Sequence, residues 1–276
     1  STALHGLTYG DDNHSPVLCL HGWLDNAASF MPLMPYIEHR RVIAVDWPGH
    51  GWSSHRSHDA HYHFIDWVYD LLALFEVNQW QKMDIVAHSM GGMIASAFAA
   101  AFPEKVSSLT LLDSIGFISA EADKSTVQLR KGLLSRYKTA VRHTSDKARS
   151  LHPTLVSAIK ARMAVSDLHY EQAKLLVKRG LVKQEGGYKW RSDSRLKVTS
   201  PYRLTQSQAE KFISDIQCPV QLIHGSKGLD MVFSGIEHFS PLFQNLVCHE
   251  VVGGHHVHME KPQQIAEHIN GFILEK

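Results

Sequence analysis

Short runs of aliphatic and β-branched residues alternate along the chain with longer segments whose apolar positions recur every three or four residues. The short runs predict strands at Val17–His21, Val42–Asp46, Met83–His88, Ser107–Asp113, Val220–His224 and Val247–Val252, with an outer strand near Leu4–Tyr9. The longer segments predict helices. Ala27–Glu38 follows the first core strand. Phe64–Phe75 places Phe64, Trp67, Val68, Leu71, Leu72 and Phe75 on one face. Met90–Phe102 is rich in small residues and stops at Pro103, and Pro262–Ile273 begins with a proline suited to a first helical turn. Strand and helix in turn describe βαβ units, so the expected class is α/β, with a mostly parallel central sheet and helices on both of its faces.

The alternation fails between about Gly116 and Phe212. That stretch reads as several helices without a convincing buried strand. The expected organisation is therefore a core domain made of residues 1–115 and 213–276, interrupted by a helical cap, or lid, at 116–212. A single parallel-sheet domain with an insertion suits 276 residues, and 44% hydrophobic with 20% charged residues is the mix of a globular chain with an ordinary core.

Charge and cysteine content narrow the partners. A net charge of +1 gives the whole molecule no electrostatic case for nucleic acid. No apolar run reaches about 18 residues, so no membrane span is expected, and the start, STALHGLTYG, lacks the basic and apolar pattern of a signal peptide. Cys19, Cys218 and Cys248 show no CxxC pairing, and Cys19 and Cys248 lie in strand-like runs. Buried, reduced thiols and a cytoplasmic location are the expectation.

Four motifs carry chemistry. The first is Asp84-Ile-Val-Ala-His-Ser-Met-Gly-Gly92, in which a strand ends at His88 and a small-residue helix begins after Ser89. A strand–turn–helix of this kind lifts a serine hydroxyl above the sheet as a nucleophile. The turn demands small residues two before and two after, here Ala87 and Gly91; a capping serine is the competing explanation. The second is His21-Gly22-Trp23 after the first core strand. Acyl transfer needs backbone donors for the developing oxyanion. The amides of Trp23 and Met90 are the candidates, with His21, Gly22 and His88 bordering the substrate. The third, Asp46-Trp-Pro-Gly-His-Gly-Trp-Ser53, makes a rigid turn at the carboxyl edge of the sheet and reads as support for the site. The fourth is Gly253-Gly-His-His-Val-His-Met-Glu-Lys-Pro262. His255 directly follows the glycine pair and is the expected general base, with His256 and His258 as competitors.

Together these motifs resemble the α/β-hydrolase superfamily over nearly the whole chain, and more narrowly its serine hydrolase-like, or kraken-like, group. The narrower likeness rests on HGWLDNAASF at 21–30, on Arg179-Gly180 with Trp190-Arg-Ser-Asp-Ser-Arg-Leu196, and on Gly228-Leu-Asp230. The resemblance implies the α/β-hydrolase fold and a serine hydrolase without metal or cofactor, acting on carboxylic esters. It also implies a triad acid three residues past a glycine that ends a late strand. Counting from Gly225 gives Gly228, which is not acidic. Asp230 is the expected acid, since the order Ser89, Asp230, His255 suits the fold; Asp113 is the alternative.

The leading expectation is a carboxylesterase for small to medium acyl esters, working as a monomer or homodimer. Thioester or carbon–carbon bond hydrolysis by the same triad, and a ligand sensor with little turnover, are the alternatives. The tract His55-Arg-Ser-His-Asp-Ala-His-Tyr-His63 has no zinc-ligand spacing and reads as a polar loop. The glycines near Ser89 lack the lysine of a phosphate-binding loop. Between Lys124 and Lys197 stand 18 Lys or Arg against 5 Asp or Glu, a formal +13, which leaves −12 on the remainder. Either the insert docks on an acidic body, or it focuses substrates with an anionic tail toward the site; for the second, Arg179, Arg191 and Arg195 are the candidates.

Overall fold

The computed structural model describes residues 3–144 and 151–274. Asp146, Lys147 and Arg149, three of the charges counted above, lie outside the described residues. A seven-stranded sheet contains β1 (Gly6–Tyr9), β2 (Pro16–Leu20), β3 (Arg41–Val45), β4 (Met83–His88), β5 (Val106–Leu112), β8 (Val220–Gly225) and β9 (Leu246–Val251), in the order β1-β3-β2-β4-β5-β8-β9. Every neighbouring pair is parallel except β1 with β3. The six inner and outer strands after β1 match the sequence pattern to within one residue at each end.

Side chains alternate across this sheet. Leu18, Leu20, Ile85, Leu109, Leu111 and Leu222 share one apolar cluster with Leu71 and Phe75 of α1 (Phe64–Val77) and Ile94 and Phe98 of α2 (Met90–Ala101). Val17, Cys19, Val86 and Ile223 face the other way. They pack with Phe30, Leu33 and residues Ile265, Ile269 and Ile273 of α9 (Pro262–Leu274). Two buried faces are why these strands read as continuous apolar runs rather than as alternating ones.

Two expectations are corrected here. Ala27–Glu38 is not an α-helix but two 3₁₀ turns, Ala27–Phe30 and Met34–Tyr36. Pro32 and Pro35 interrupt it, because each lacks the N–H that a continuing α-helix would donate. Cys19 and Cys218 are buried and lie outside any disulfide, but Cys248 is exposed, because β9 is an edge strand.

Between β5 and β8 the chain forms α3 (Ser125–Thr144), α4 (Leu155–Met163), α5 (Tyr170–Gly180), an antiparallel hairpin of β6 (Leu181–Gln184) and β7 (Gly187–Trp190), and α6 (Gln206–Ser214). The hairpin was not legible in the sequence. Helices α4 and α5 bury Ala158, Ile159, Ala173, Leu176 and Val177 in a small cluster of their own, which reaches the body through Met259. Helix α6 instead buries Ala209 and Ile213 in the sheet-side core beside Phe98, so a body boundary at residue 213 falls inside a helix that packs as part of the body.

The basic excess of the insert is used for docking. Arg179 of α5 places Nε 3.0 Å from both oxygens of Asp46, and its Nη2 is 2.7 Å from Oδ2. Asp46 is fully buried and also accepts from the backbone N–H groups of Ala27 and Trp52. Arg195 grips Asp193 and donates to the carbonyls of Arg56, Ser57, His58 and Ala60. The histidine-rich tract thus supplies backbone acceptors. Arg191 donates to the carbonyl of Leu181 and lies over the ring of Trp52, which also carries Arg179. The three arginines considered as guides for anionic substrates are therefore committed to the scaffold.

Removing Arg179 while leaving Asp46 would strand a buried carboxylate. Arg179→Met is expected to cost about 3–5 kcal/mol of folding stability. Urea denaturation measures this, and a loss below about 1 kcal/mol would mean that the two backbone donors alone satisfy Asp46.

Candidate active site

Strand β4 ends at His88 and α2 begins at Met90, so Ser89 alone makes the turn, with φ 51° and ψ −122°. A non-glycine residue held in that region stores strain, and such strain clusters at functional positions. The surroundings hold the turn in place. The Ser89 N–H donates to the carbonyl of Leu112 (3.2 Å), and the Ser114 hydroxyl donates to the carbonyl of Ser89 (2.8 Å). Gly91 is a packing requirement: a Cβ there would come within 2.4 Å of the Leu20 carbonyl oxygen. Ala87, two residues before the serine, is fully buried in β4.

His255 reaches this serine from the loop after β9. Its Nε2 lies 3.0 Å from Ser89 Oγ, and its Nδ1 lies 2.6 Å from Asp113 Oδ2. Asp113 follows β5 directly and has a positive φ of 44°. Its side chain is fully buried, and Oδ1 accepts from the Gly225 N–H at 3.0 Å. The carboxylate beside His255 is thus Asp113, the alternative, and not Asp230. Asp230 is exposed as the first residue of α7 (Asp230–Phe239). Gly228, the position at which the resemblance places an acid, explains the exchange: a Cβ there would lie 2.3 Å from Asp113 Oδ1. The space for a side chain from β8 is already filled by a carboxylate from β5.

The His21-Gly22-Trp23 loop lies against the serine. A Cβ on Gly22 would come within 3.0 Å of Ser89 Cβ and of His88 Nδ1, so only glycine allows this approach. Trp23, expected to contribute its amide, anchors its indole N–H on the carbonyl of Leu196 (3.1 Å), and Met90 opens α2 directly after Ser89. His21 and His88 do not border a substrate space, for both are fully buried. His21 donates from Nδ1 to the Gly22 carbonyl (2.8 Å) and accepts the Trp47 N–H at Nε2 (3.0 Å). Burial keeps it neutral by lowering its pKa. His50, from the third motif, accepts the Leu24 N–H at 3.1 Å, and burial lowers its pKa to about 3. That motif does support the loop beside the serine.

Behind Ser89, His255 and Asp113 lies a polar cluster that sequence reasoning missed. Asp25 Oδ1 accepts from Arg162 of α4 (2.6 Å), and Asp25 Oδ2 lies 3.2 Å from His256 Nε2. His256 Nδ1 contacts Asp167 of the insert. Burial works against a charge on His256, yet Asp25 and Asp167 outweigh it and raise its pKa to about 9. Burial likewise works against ionised Asp25, and His256 and Arg162 hold its carboxyl well below the usual range. His88 donates from Nε2 to the carbonyl of His255 (2.9 Å), and burial lowers its pKa to about 4. His258, another competitor for the base, is fully buried and contacts His88 ring to ring. The available signal was Asp25 itself, the one acid in the HGWLDNAASF run.

Comparison with known proteins agrees with this geometry. The family described as alpha/beta hydrolase fold matches residues 15–262. The chain belongs to that family. It is 31% identical to the serine hydrolase-like protein of Danio rerio, over 98% of this chain and 85% of the relative. It is 31% identical to serine hydrolase-like protein 2 of Homo sapiens, over 96% and 88% respectively. Among solved structures, the hypothetical protein PA1622 from Pseudomonas aeruginosa PAO1 superposes with a TM-score of 0.91 at 35% identity, over 98% of this chain and 95% of that one. The chain is thus a serine hydrolase-like α/β hydrolase. Among its described residues no helix is long and apolar enough to cross a membrane.

The raised pKa of His256 has a stability consequence with a definite sign. Folded His256 holds its proton more tightly than the unfolded chain does. Its contribution is complete below about pH 6.5 and is lost as pH rises through about 9. Wild type is therefore expected to lose its stability advantage over His256→Gln between about pH 7 and pH 10. Urea midpoints across that range measure it; a constant difference would show that His256 does not act through its charge.

Proposed function

We propose that this chain hydrolyses carboxylic esters of small to medium acyl groups through an acyl-Ser89 intermediate. The observation that carries this reading is the continuous relay of Ser89 Oγ, the His255 imidazole and the Asp113 carboxylate, at 3.0 and 2.6 Å. His255 takes the hydroxyl proton as Ser89 attacks the ester carbonyl. The same proton then goes to the departing alcohol. His255 next activates a water, which attacks the acyl-enzyme and releases the acid and free Ser89. Asp113 keeps the Nδ1–H tautomer and stabilises the imidazolium. The amides of Trp23 and Met90 are assigned to the oxyanion, supported by the position of Gly22 against Ser89 and by the placement of Met90 at the helix N-terminus.

Segment 116–212 serves in this reading as a cap whose Arg162 and Asp167 fasten onto the loops bearing Asp25 and His256. The positive charge of the cap enters as docking, through Arg179 on Asp46 and Arg195 on the carbonyls of residues 56–60, rather than as a guide for anionic tails.

A fluorophosphonate probe and p-nitrophenyl esters of rising acyl length test the reaction, with matched thioesters as a separate arm. Rapid labelling of Ser89 with ester turnover is expected. Labelling without ester turnover would overturn the substrate class, and thioester turnover alone would replace it. Ser89→Ala should cost about 10⁶ in kcat while the protein stays folded; retention of a few per cent of activity would remove Ser89 from the role.

The acid is tested separately. Asp113→Asn should lower kcat by about 10⁴, because asparagine favours the wrong imidazole tautomer. Asp230→Asn should stay within a few-fold of wild type. The reverse ranking would return the role to Asp230.

A further inference from the structure

We propose that Asp25, His88 and His256 form a binding site for one divalent transition-metal ion of the zinc type, directly behind His255, and that its occupation turns the hydrolase down. The three side chains are buried, and each offers one ligand atom within 4.8 Å of the others. Asp25 Oδ2 lies 3.6 Å from His88 Nδ1 and 3.2 Å from His256 Nε2. Ligand atoms about 2.0–2.1 Å from a tetrahedral zinc ion stand roughly 3.3 Å apart, so both edges already have the span of a coordination shell.

The outer contacts suit a metal as well. A histidine ligand donates its other ring N–H to a carboxylate or a backbone carbonyl, which fixes the tautomer and leaves a lone pair for the ion. Both histidines have this partner in place. His256 Nδ1 contacts the Asp167 carboxylate, and His88 Nε2 donates to the carbonyl of His255. With a single ring proton, His88 then turns a bare Nδ1 toward a carboxylate oxygen. That buried Nδ1 has no hydrogen-bond partner, and two acceptors 3.6 Å apart repel unless a cation stands between them. The Nε2 proton of His256 supplies part of that cation's role. Metal binding replaces it: His256 releases one proton, its Nε2 lone pair binds the ion, and Arg162 stays on Asp25 Oδ1. Asp25 also lines a cavity of about 20 Å³ with Leu24, Asn26, Arg162 and Leu176, and Asp167 lines a surface groove of about 350 Å³ with Gly253 and Gly254.

The consequence for turnover rests on the proposed role of His255. The His88 and His255 ring centroids are 4.6 Å apart and His88 donates to the His255 carbonyl, so drawing His88 and His256 onto one ion shifts the backbone that presents His255 to Ser89.

The test titrates Zn²⁺ into chelator-treated full-length protein by calorimetry at pH 7, in two buffers of different ionisation enthalpy. One Zn²⁺ per chain with about one proton released is expected. His88→Gln and His256→Gln should abolish this site, and His61→Gln with His63→Gln should leave it intact. If the two core variants do not fold, Asp167→Asn keeps all three ligands and should weaken binding about 10- to 100-fold. Unchanged binding in Asp167→Asn and in whichever core variants fold, or no binding to wild type, overturns the site. Loss of ester turnover should track occupancy. Full turnover by the loaded protein would overturn the inhibitory role alone, while inactivity of the metal-free protein would count against the hydrolase reading and not against the site.

Discussion

A carboxylate taken out of water must be matched by a cation or by several donors, and this requirement organises everything above the sheet. Asp25, Asp46, Asp113 and Asp193 are all buried. Arg162 and His256 meet Asp25, Arg179 meets Asp46, Arg195 meets Asp193, and His255 with the Gly225 amide meets Asp113. Arg162 and Arg179 come from the segment between β5 and β8 and meet acids outside it, whereas Arg195 and Asp193 both belong to that segment. The +13 of Lys124–Lys197 against the −12 of the remainder is therefore in part the charge record of a docking interface.

This constraint also links the scaffold to the proposed chemistry. Asp46 accepts from the Ala27 N–H and Asp25 contacts His256, so the loop after β2 is held from both sides. That loop carries Gly22 and Trp23 against Ser89. His50 adds a neutral contact to Leu24 of the same loop. A loop fixed by several buried contacts keeps its backbone donors oriented before substrate arrives, which is how a preorganised oxyanion site gains its effect.

The choice between Asp113 and Asp230 shows what chain order can and cannot decide. Both acids lie where the strand pattern ends, and Asp230 stands between Ser89 and His255 in sequence. What separates them is room beside His255 Nδ1. Strands β5 and β8 are neighbours, so a carboxylate leaving the end of either could occupy that space. Asp113, turning back at φ 44°, fills it, and Gly228 yields it.

The sequence by itself determined the strands to within a residue or so, the strand–turn–helix at Ser89 and, among three neighbouring histidines, the one that faces Ser89. These depend on local pattern: apolar runs set strand limits, and a tight turn needs Ala87 and Gly91 around its serine. It did not reveal the 3₁₀ turns in Ala27–Glu38, although Pro32 and Pro35 carried that signal. Nor did it show the β6–β7 hairpin or the burial of His21 and His88. The direction of Arg179, Arg191 and Arg195, the partner of His255 and the Asp25–His88–His256 cluster were decided only by the tertiary structure. Each joins residues more than sixty positions apart, and which side chain fills a shared buried volume depends on how the strands and the insert pack, a quantity that no local spacing encodes.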